Sequence, residues 1–207
     1  RKYIPVAAGM AGGSTDAAAV LVGVNRMFDL GFTKKELMER GVKLGADVPY
    51  CIMRGTALSE GIGEILTELP APPQCHLVIA KPQISVSTKA VYGKLRVNEL
   101  APEEHPDIDG MMAAIKNGDL DGVIERLGNV LETVTVPDHP EIARIKEMMM
   151  ENGACGSLMS GSGPTVFGIY KDKELAEKAC QALREADGGR LTRQVYLTEF
   201  YNRKKAR

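Results

Sequence analysis

Hydrophobic and polar positions change period along this chain, and the changes outline its elements. From Ser14 to Leu30 apolar residues recur at helical spacing, and Ala18, Val20, Leu21, Val24 and Phe28 are expected to form a broad buried face. Ser14 or Thr15 is placed to cap that helix, Asp16 falls in its first turn, and Gly31 is positioned to end it. A second helix is predicted from the capping-box spacing of Thr33 and Glu36, with Leu37, Met38 and Val42 on its apolar face and Gly45 closing it. Residues 57–69 read as a loop or strand pair, and Pro70, Pro72 and Pro73 mark a boundary. Beyond it come an alternating strand over 76–80, helices over 107–116, 120–134 and 140–151, and a strand over 157–159. A Ser-Gly-Ser-Gly turn, a strand over 165–170, a helix over 173–186 and a strand over 194–200 complete the pattern. Pro140 suits a first helical turn and Gly153 a helix end. The fold class is therefore α+β, a sheet layered with helices, with no internal repeat or heptad.

Composition narrows the setting. The 207 residues carry 44% hydrophobic and 26% charged content, ordinary for one or two globular domains. Lys and Arg number 26 against 27 Asp and Glu, so the net charge of -1 supplies no general pull toward nucleic acid or an anionic membrane. Phosphate recognition has to be local. Cys51, Cys75, Cys155 and Cys180 are far apart and form no Cys-x-x-Cys pair, which argues against a zinc site or a disulfide scaffold. With no long apolar run and no signal-peptide pattern, the expectation is a cytoplasmic protein with no membrane or nucleic-acid partner. The oligomeric state is left open.

Three segments carry candidate chemistry. In the first, Pro5-Val6-Ala7-Ala8-Gly9-Met10-Ala11-Gly12-Gly13-Ser14-Thr15, small residues dominate where a loop turns into a helix. Glycines there let consecutive N–H groups approach an anion at the positive end of the helix dipole, and Ser14 and Thr15 add hydroxyls for phosphate oxygens or Mg²⁺. A tight turn before an Ala-rich helix has the same composition. The Walker A lysine and the Gly-x-Gly-x-x-Gly spacing are both missing. The second segment, Gly45-Ala46-Asp47-Val48-Pro49-Tyr50, sets one carboxylate beside a proline, and Asp47 reads equally as a turn residue or helix cap. The third, Ser160-Gly161-Ser162-Gly163, reads as a hairpin turn that also makes a second backbone donor surface. Tyr92, read on its own, is a core or rim aromatic.

Taken in order, these segments resemble the GHMP kinases, whose phosphate loop runs Pro-x-x-x-Gly-Leu-Gly-Gly-Gly-Ser-Ser. Met10 stands for Leu, Ala11 for Gly and Thr15 for Ser, each keeping size or hydroxyl chemistry. The resemblance implies the GHMP kinase fold, with residues 1–72 the remainder of the N-terminal ATP-binding domain and 73–207 the C-terminal α/β-sandwich domain. It implies that residues 5–15 wrap the phosphates of ATP, that Lys2 lies near the adenine or ribose, and that Asp47 accepts or orients the proton of the attacking hydroxyl. It sets Ser160, Gly161, Ser162 and Gly163 beside the transferred phosphoryl group, with Mg²⁺ bridging phosphate oxygens.

Further stretches, residues 44–49, 55–57 with 60–64, and 81–82 with 86–88, resemble the branch of the family that phosphorylates a small cytidine-diphosphate sugar alcohol on a route to isoprenoid precursors. In that branch an aromatic stacks on the cytosine. Tyr92 holds that position, and Thr88 is placed to hydrogen-bond nearby. Other members act on homoserine or mevalonate, and a non-catalytic nucleotide-binding fragment is the remaining alternative. Arg1 and Lys2 stand directly before the loop, where the family has a strand and a catalytic lysine, so the expectation is that these residues alone have little or no activity.

Overall fold

The computed structural model describes residue 4 and residues 8–201, with only the backbone at 193. The described residues fall into two units, one with residue 4, Ala11–Ala71 and Tyr201, the other with residues 8–10 and Pro72–Phe200.

In the first unit, α1 (Gly12–Met27), α2 (Lys34–Gly41) and α3 (Val48–Met53) precede an antiparallel hairpin, β1 (Thr56–Glu60) and β2 (Ile65–Leu69). The capping box before α2 forms as predicted: the Glu36 amide donates to Thr33 Oγ1 at 3.2 Å and the Thr33 amide to Glu36 Oε2 at 2.8 Å. Helix α1 departs from its prediction in three ways. It begins two residues earlier, with Ala11 rather than Ser14 or Thr15 at the N-cap and no side-chain cap, because Thr15 Oγ1 turns back to the Ala11 carbonyl at 2.9 Å. It ends at Met27, since Asp29 and Gly31 take positive φ. Its buried side is Ala18, with Ala17, Leu21 and Val22 packed alongside against Leu37, Val48 and Ile52. Val20, Val24 and Phe28, predicted to be buried, are exposed. The helix carries two apolar stripes, and α2 and α3 close on the one with small residues.

The second unit is a four-stranded antiparallel sheet in the order β4-β5-β3-β6, built from β3 (His76–Pro82), β4 (Gly156–Met159), β5 (Val166–Tyr170) and β6 (Thr192–Glu199). Helices α4 (Thr88–Lys94), α5 (Ile108–Asn117), α6 (Leu120–Glu125), α7 (Glu132–Asp138), α8 (Pro140–Glu151) and α9 (Lys173–Glu185) surround it. On one face Val78, Ala80, Val166 and Tyr170 pack against Ile142, Ile145 and Met149 of α8 and Ala176, Ala179 and Leu183 of α9. On the other, Leu77 and Ile169 meet Leu120, Ile124 and Leu127. Both faces are covered, which is why β3 is almost continuously apolar. The predicted helix over 120–134 is two helices. Between them Gly128 packs against Pro106, and the Asn129 side chain is drawn to the β4–β5 turn. Helices α3 and α4, six and seven residues long, were not predicted.

Candidate active site

Within the first unit, candidate groups gather where α1 begins. The Thr15 amide makes the first intrahelical bond, to the Ala11 carbonyl at 2.8 Å, so the amides of Gly12, Gly13 and Ser14 come before any helical partner. Ala11 holds the turn at φ 46°, ψ 29°, the left-handed region in which the family motif has glycine. Gly12 is buried and Gly13 is open, with no atom within 4 Å of where a Cβ would stand. The turn before α3 lies alongside: Thr15 Oγ1 is 3.5 Å from Cys51 Sγ, and a Cβ at Gly45 would be 3.9 Å from Ser14 Oγ.

Asp47 is the residue preceding α3. Val48 and Pro49 behind it are buried, and the Cys51 amide donates to the Asp47 carbonyl at 3.0 Å, so the backbone is fixed while the carboxylate stays exposed. The side chain makes no capping bond, and among the described residues it has no hydrogen-bond or ion-pair partner. An acidic group held on a fixed turn and left open can meet an incoming hydroxyl. The neighbouring Tyr50 hydroxyl donates to the Gly55 carbonyl at 2.7 Å, and burial raises its pKa first, with Cys51 adding to the shift.

Within the second unit the β4–β5 turn is the organising feature. Its hairpin closes with the Ser160 amide on the Thr165 carbonyl at 2.8 Å and the Gly163 amide on the Ser160 carbonyl at 2.9 Å. Ser160 Oγ donates to the Gly9 carbonyl at 2.8 Å, 151 residues away in the chain. Gly9 has φ 67°, and a Cβ there would stand 2.3 Å from the Ser160 carbonyl oxygen, so no other residue fits without moving the hairpin. Thr88 Oγ1 and Ser162 Oγ are 2.8 Å apart, joining the first residue of α4 to a buried serine of the turn. Tyr92, one helical turn after Thr88 on the same face, is 60% exposed, so neither a core position nor a packed rim occupies its ring.

The fold thus brings Gly9, Thr88, Ser160 and Ser162 together, and separately the start of α1 with the Asp47 turn. Ala8 is buried and Met10 half-buried. Lys2, Pro5, Val6 and Ala7 lie outside the described residues. Asn129 and Glu132, which bond to the turn, and Lys146, which pairs with Glu132, were not singled out in the sequence. The available signal was an Asn after a Gly inside an apolar helical pattern, a combination that breaks helices.

Two Gly-rich segments on an α+β scaffold of this topology define a GHMP kinase. Residues 1–55 match the GHMP kinases N terminal domain and residues 111–188 the GHMP kinases C terminal region. The 4-diphosphocytidyl-2-C-methyl-D-erythritol kinase of Lachnospira eligens is 56% identical over 200 residues, covering 97% of this chain and 68% of that protein. The kinase of the same name from Lachnoclostridium phytofermentans is 53% identical over 203 residues, covering 98% and 68%. This chain belongs to the 4-diphosphocytidyl-2-C-methyl-D-erythritol kinase family. A crystal structure of a 4-(cytidine 5'-diphospho)-2C-methyl-D-erythritol kinase superposes with a TM-score of 0.78 at 30% identity, over 96% of this chain and 68% of that one. Homoserine kinase from Cytophaga hutchinsonii, at 21% identity and a TM-score of 0.80 over 95% and 67%, shares the fold. The expected fold class and branch of the family are both borne out. Among the described residues no helix is long and apolar enough to cross a membrane.

Proposed function

We propose that the intact protein transfers the γ-phosphoryl group of ATP to the 2-hydroxyl of 4-diphosphocytidyl-2-C-methyl-D-erythritol, a cytoplasmic step of the non-mevalonate route to isoprenoid precursors. Identity above 50% to kinases of that name, running almost the whole length of the chain, carries this reading. Residues 5–15 hold the triphosphate, with the first-turn amides of Gly12, Gly13 and Ser14, which precede any helical partner, as donors and Lys2 toward the nucleoside. The left-handed turn at Ala11 supports this role, because it directs successive amides to one side. Asp47 orients the acceptor hydroxyl and takes its proton as the oxygen bonds to phosphorus; the bond to the β-phosphate breaks and ADP leaves.

Tyr92 stacks on the cytosine and Thr88 hydrogen-bonds beside it, a role that its exposed ring leaves open. Ser160, Gly161, Ser162 and Gly163 face the phosphoryl group. Mg²⁺ bound with the nucleotide would neutralise charge on the phosphates. The test is a Mg²⁺-ATP assay of the intact protein against the cytidine-diphosphate alcohol, homoserine and mevalonate. Turnover of the first alone is expected; turnover of either other alcohol with the first untouched would overturn the assignment.

A further inference from the structure

Besides its side-chain ties to Gly9 and Thr88, the β4–β5 turn is gripped by one further stretch of chain. Asn129 Nδ2 donates to the Met159 carbonyl at 2.9 Å and to the Gly161 carbonyl at 2.8 Å, while its Oδ1 accepts the Leu131 amide at 3.0 Å. Three residues on, Glu132 Oε1 accepts the Met159 amide at 2.7 Å. That amide lies on the open side of β4, an edge strand with no neighbour there to receive it. Glu132 Oε2 is 2.5 Å from Lys146 Nζ, with the two side chains only 18% and 26% exposed. After three more residues, buried Thr135 points its hydroxyl at the Ser162 carbonyl from 3.4 Å. Residues 129, 132 and 135 thus grip the turn from one side.

The geometry of the peptide unit gives this grip a consequence. In a trans peptide the carbonyl and the following N–H point in opposite directions. Anchoring the Gly161 carbonyl on Asn129 therefore turns the Ser162 N–H away from Asn129. The Gly161 and Ser162 amides make no hydrogen bond among the described residues. Gly161 and Gly163, at φ 56° and 83°, give the segment a curvature that other residues would resist. Two adjacent free amides on a curved loop are a receptor for an anionic oxygen.

We propose that Asn129, with Glu132 and Lys146 behind it, is the positioning residue of this loop, fixing the direction in which the Gly161 and Ser162 amides are aimed. That the oxygen they meet belongs to a phosphoryl group rests on the phosphoryl transfer proposed above. Asn129 touches no reacting atom in this scheme, and its effect passes through the loop.

The experiment uses the intact protein and two measurements, amide hydrogen exchange and steady-state kinetics with Mg²⁺-ATP. Asn129→Ala should speed exchange of the amides over 159–163 while β5 and α8 keep their protection. It should lower kcat by about a hundredfold, the scale of a small misplacement of a catalytic element. Glu132→Ala should act in the same direction, and Glu132→Gln, which keeps an acceptor for the Met159 amide, should recover most of that loss. Unchanged exchange over 159–163 in Asn129→Ala overturns the proposal. So does faster exchange spread evenly over β4, β5 and α8, since that signals a general loss of structure. Should the wild-type protein fail to phosphorylate the cytidine-diphosphate alcohol while Asn129→Ala still loosens only 159–163, the substrate assignment falls and the positioning role stands.

Discussion

The two units treat their apolar residues differently. In the second, Ile142, Ile145, Met149, Val166 and Leu183 are fully enclosed between sheet and helices, and charged residues keep to the rim. In the first, Ala18, Leu37, Val48 and Ile52 form a small cluster, while Val20, Met27 and Phe28 remain 63%, 77% and 66% exposed. The candidate chemistry follows the same division. In the second unit a glycine-rich loop is tied down by side chains from a packed scaffold. In the first, Asp47 and the amides of α1 sit at element ends, where backbone geometry alone aims them. A loss of activity should therefore leave stability untouched in the first unit, and in the second should come with local loosening of the loop.

The largest expected effect tests that separation. Asp47→Asn should lower kcat by roughly 10²- to 10⁴-fold, the usual contribution of a positioned acid or base. Because the carboxylate has no partner among the described residues, the melting temperature and ATP affinity should hardly change. A large loss of stability would make Asp47 structural and erase the contrast. Next comes Met149→Ala in the second unit. Its side chain is wholly buried, and truncation should cost about 2–5 kcal/mol in denaturant unfolding, through lost burial and the cavity left behind.

Two smaller effects concern helix starts in the first unit. Thr33→Ala removes a cap that accepts the Glu36 amide and should cost about 1 kcal/mol. The capping box also holds the Glu36 carboxyl below its ordinary pKa, mainly through the Thr33 amide and then its hydroxyl. A carboxyl depressed in the folded state adds stability above its unfolded pKa and loses it as pH falls through the folded value. The gap between wild type and Thr33→Ala should accordingly narrow below about pH 4, which parallel acid titrations would reveal. Ala11→Gly relieves a left-handed alanine at the cost of chain entropy, for a net gain of about 1 kcal/mol or less in the same unfolding assay. The smallest change is Phe28→Ser on the exposed stripe of α1, which should shift stability by no more than about 0.5 kcal/mol. A cost comparable to that of Met149→Ala would mean that the stripe is covered in solution.

Much of this was legible along the chain. Thr33 and Glu36 announced the start of α2, Pro140 that of α8, and the Ser-Gly-Ser-Gly run the β4–β5 turn, because caps, first-turn prolines and hairpin turns are decided by residues a few positions apart. Three glycine-bearing segments in order were enough to indicate the family. The face of α1 was not legible: Val20, Val24 and Phe28 are spaced as well for burial as Ala18 and Leu21. Helices α3 and α4 are too short to show a period. The break at Gly128 and Asn129 was hidden inside an apolar pattern that reads as one helix.

What the amino-acid order determined by itself was local: which segments are helix or strand, where several of them are capped, and which loops are rich in glycine. The tertiary structure decided which stripe of α1 is buried, the strand order β4-β5-β3-β6, and the capture of the Met159 and Gly161 carbonyls by Asn129 from 30 and 32 residues away. Such contacts join residues that share no local pattern. Their free energy exists only once the chain has closed the loop between them, so periodicity along the chain carries no trace of it.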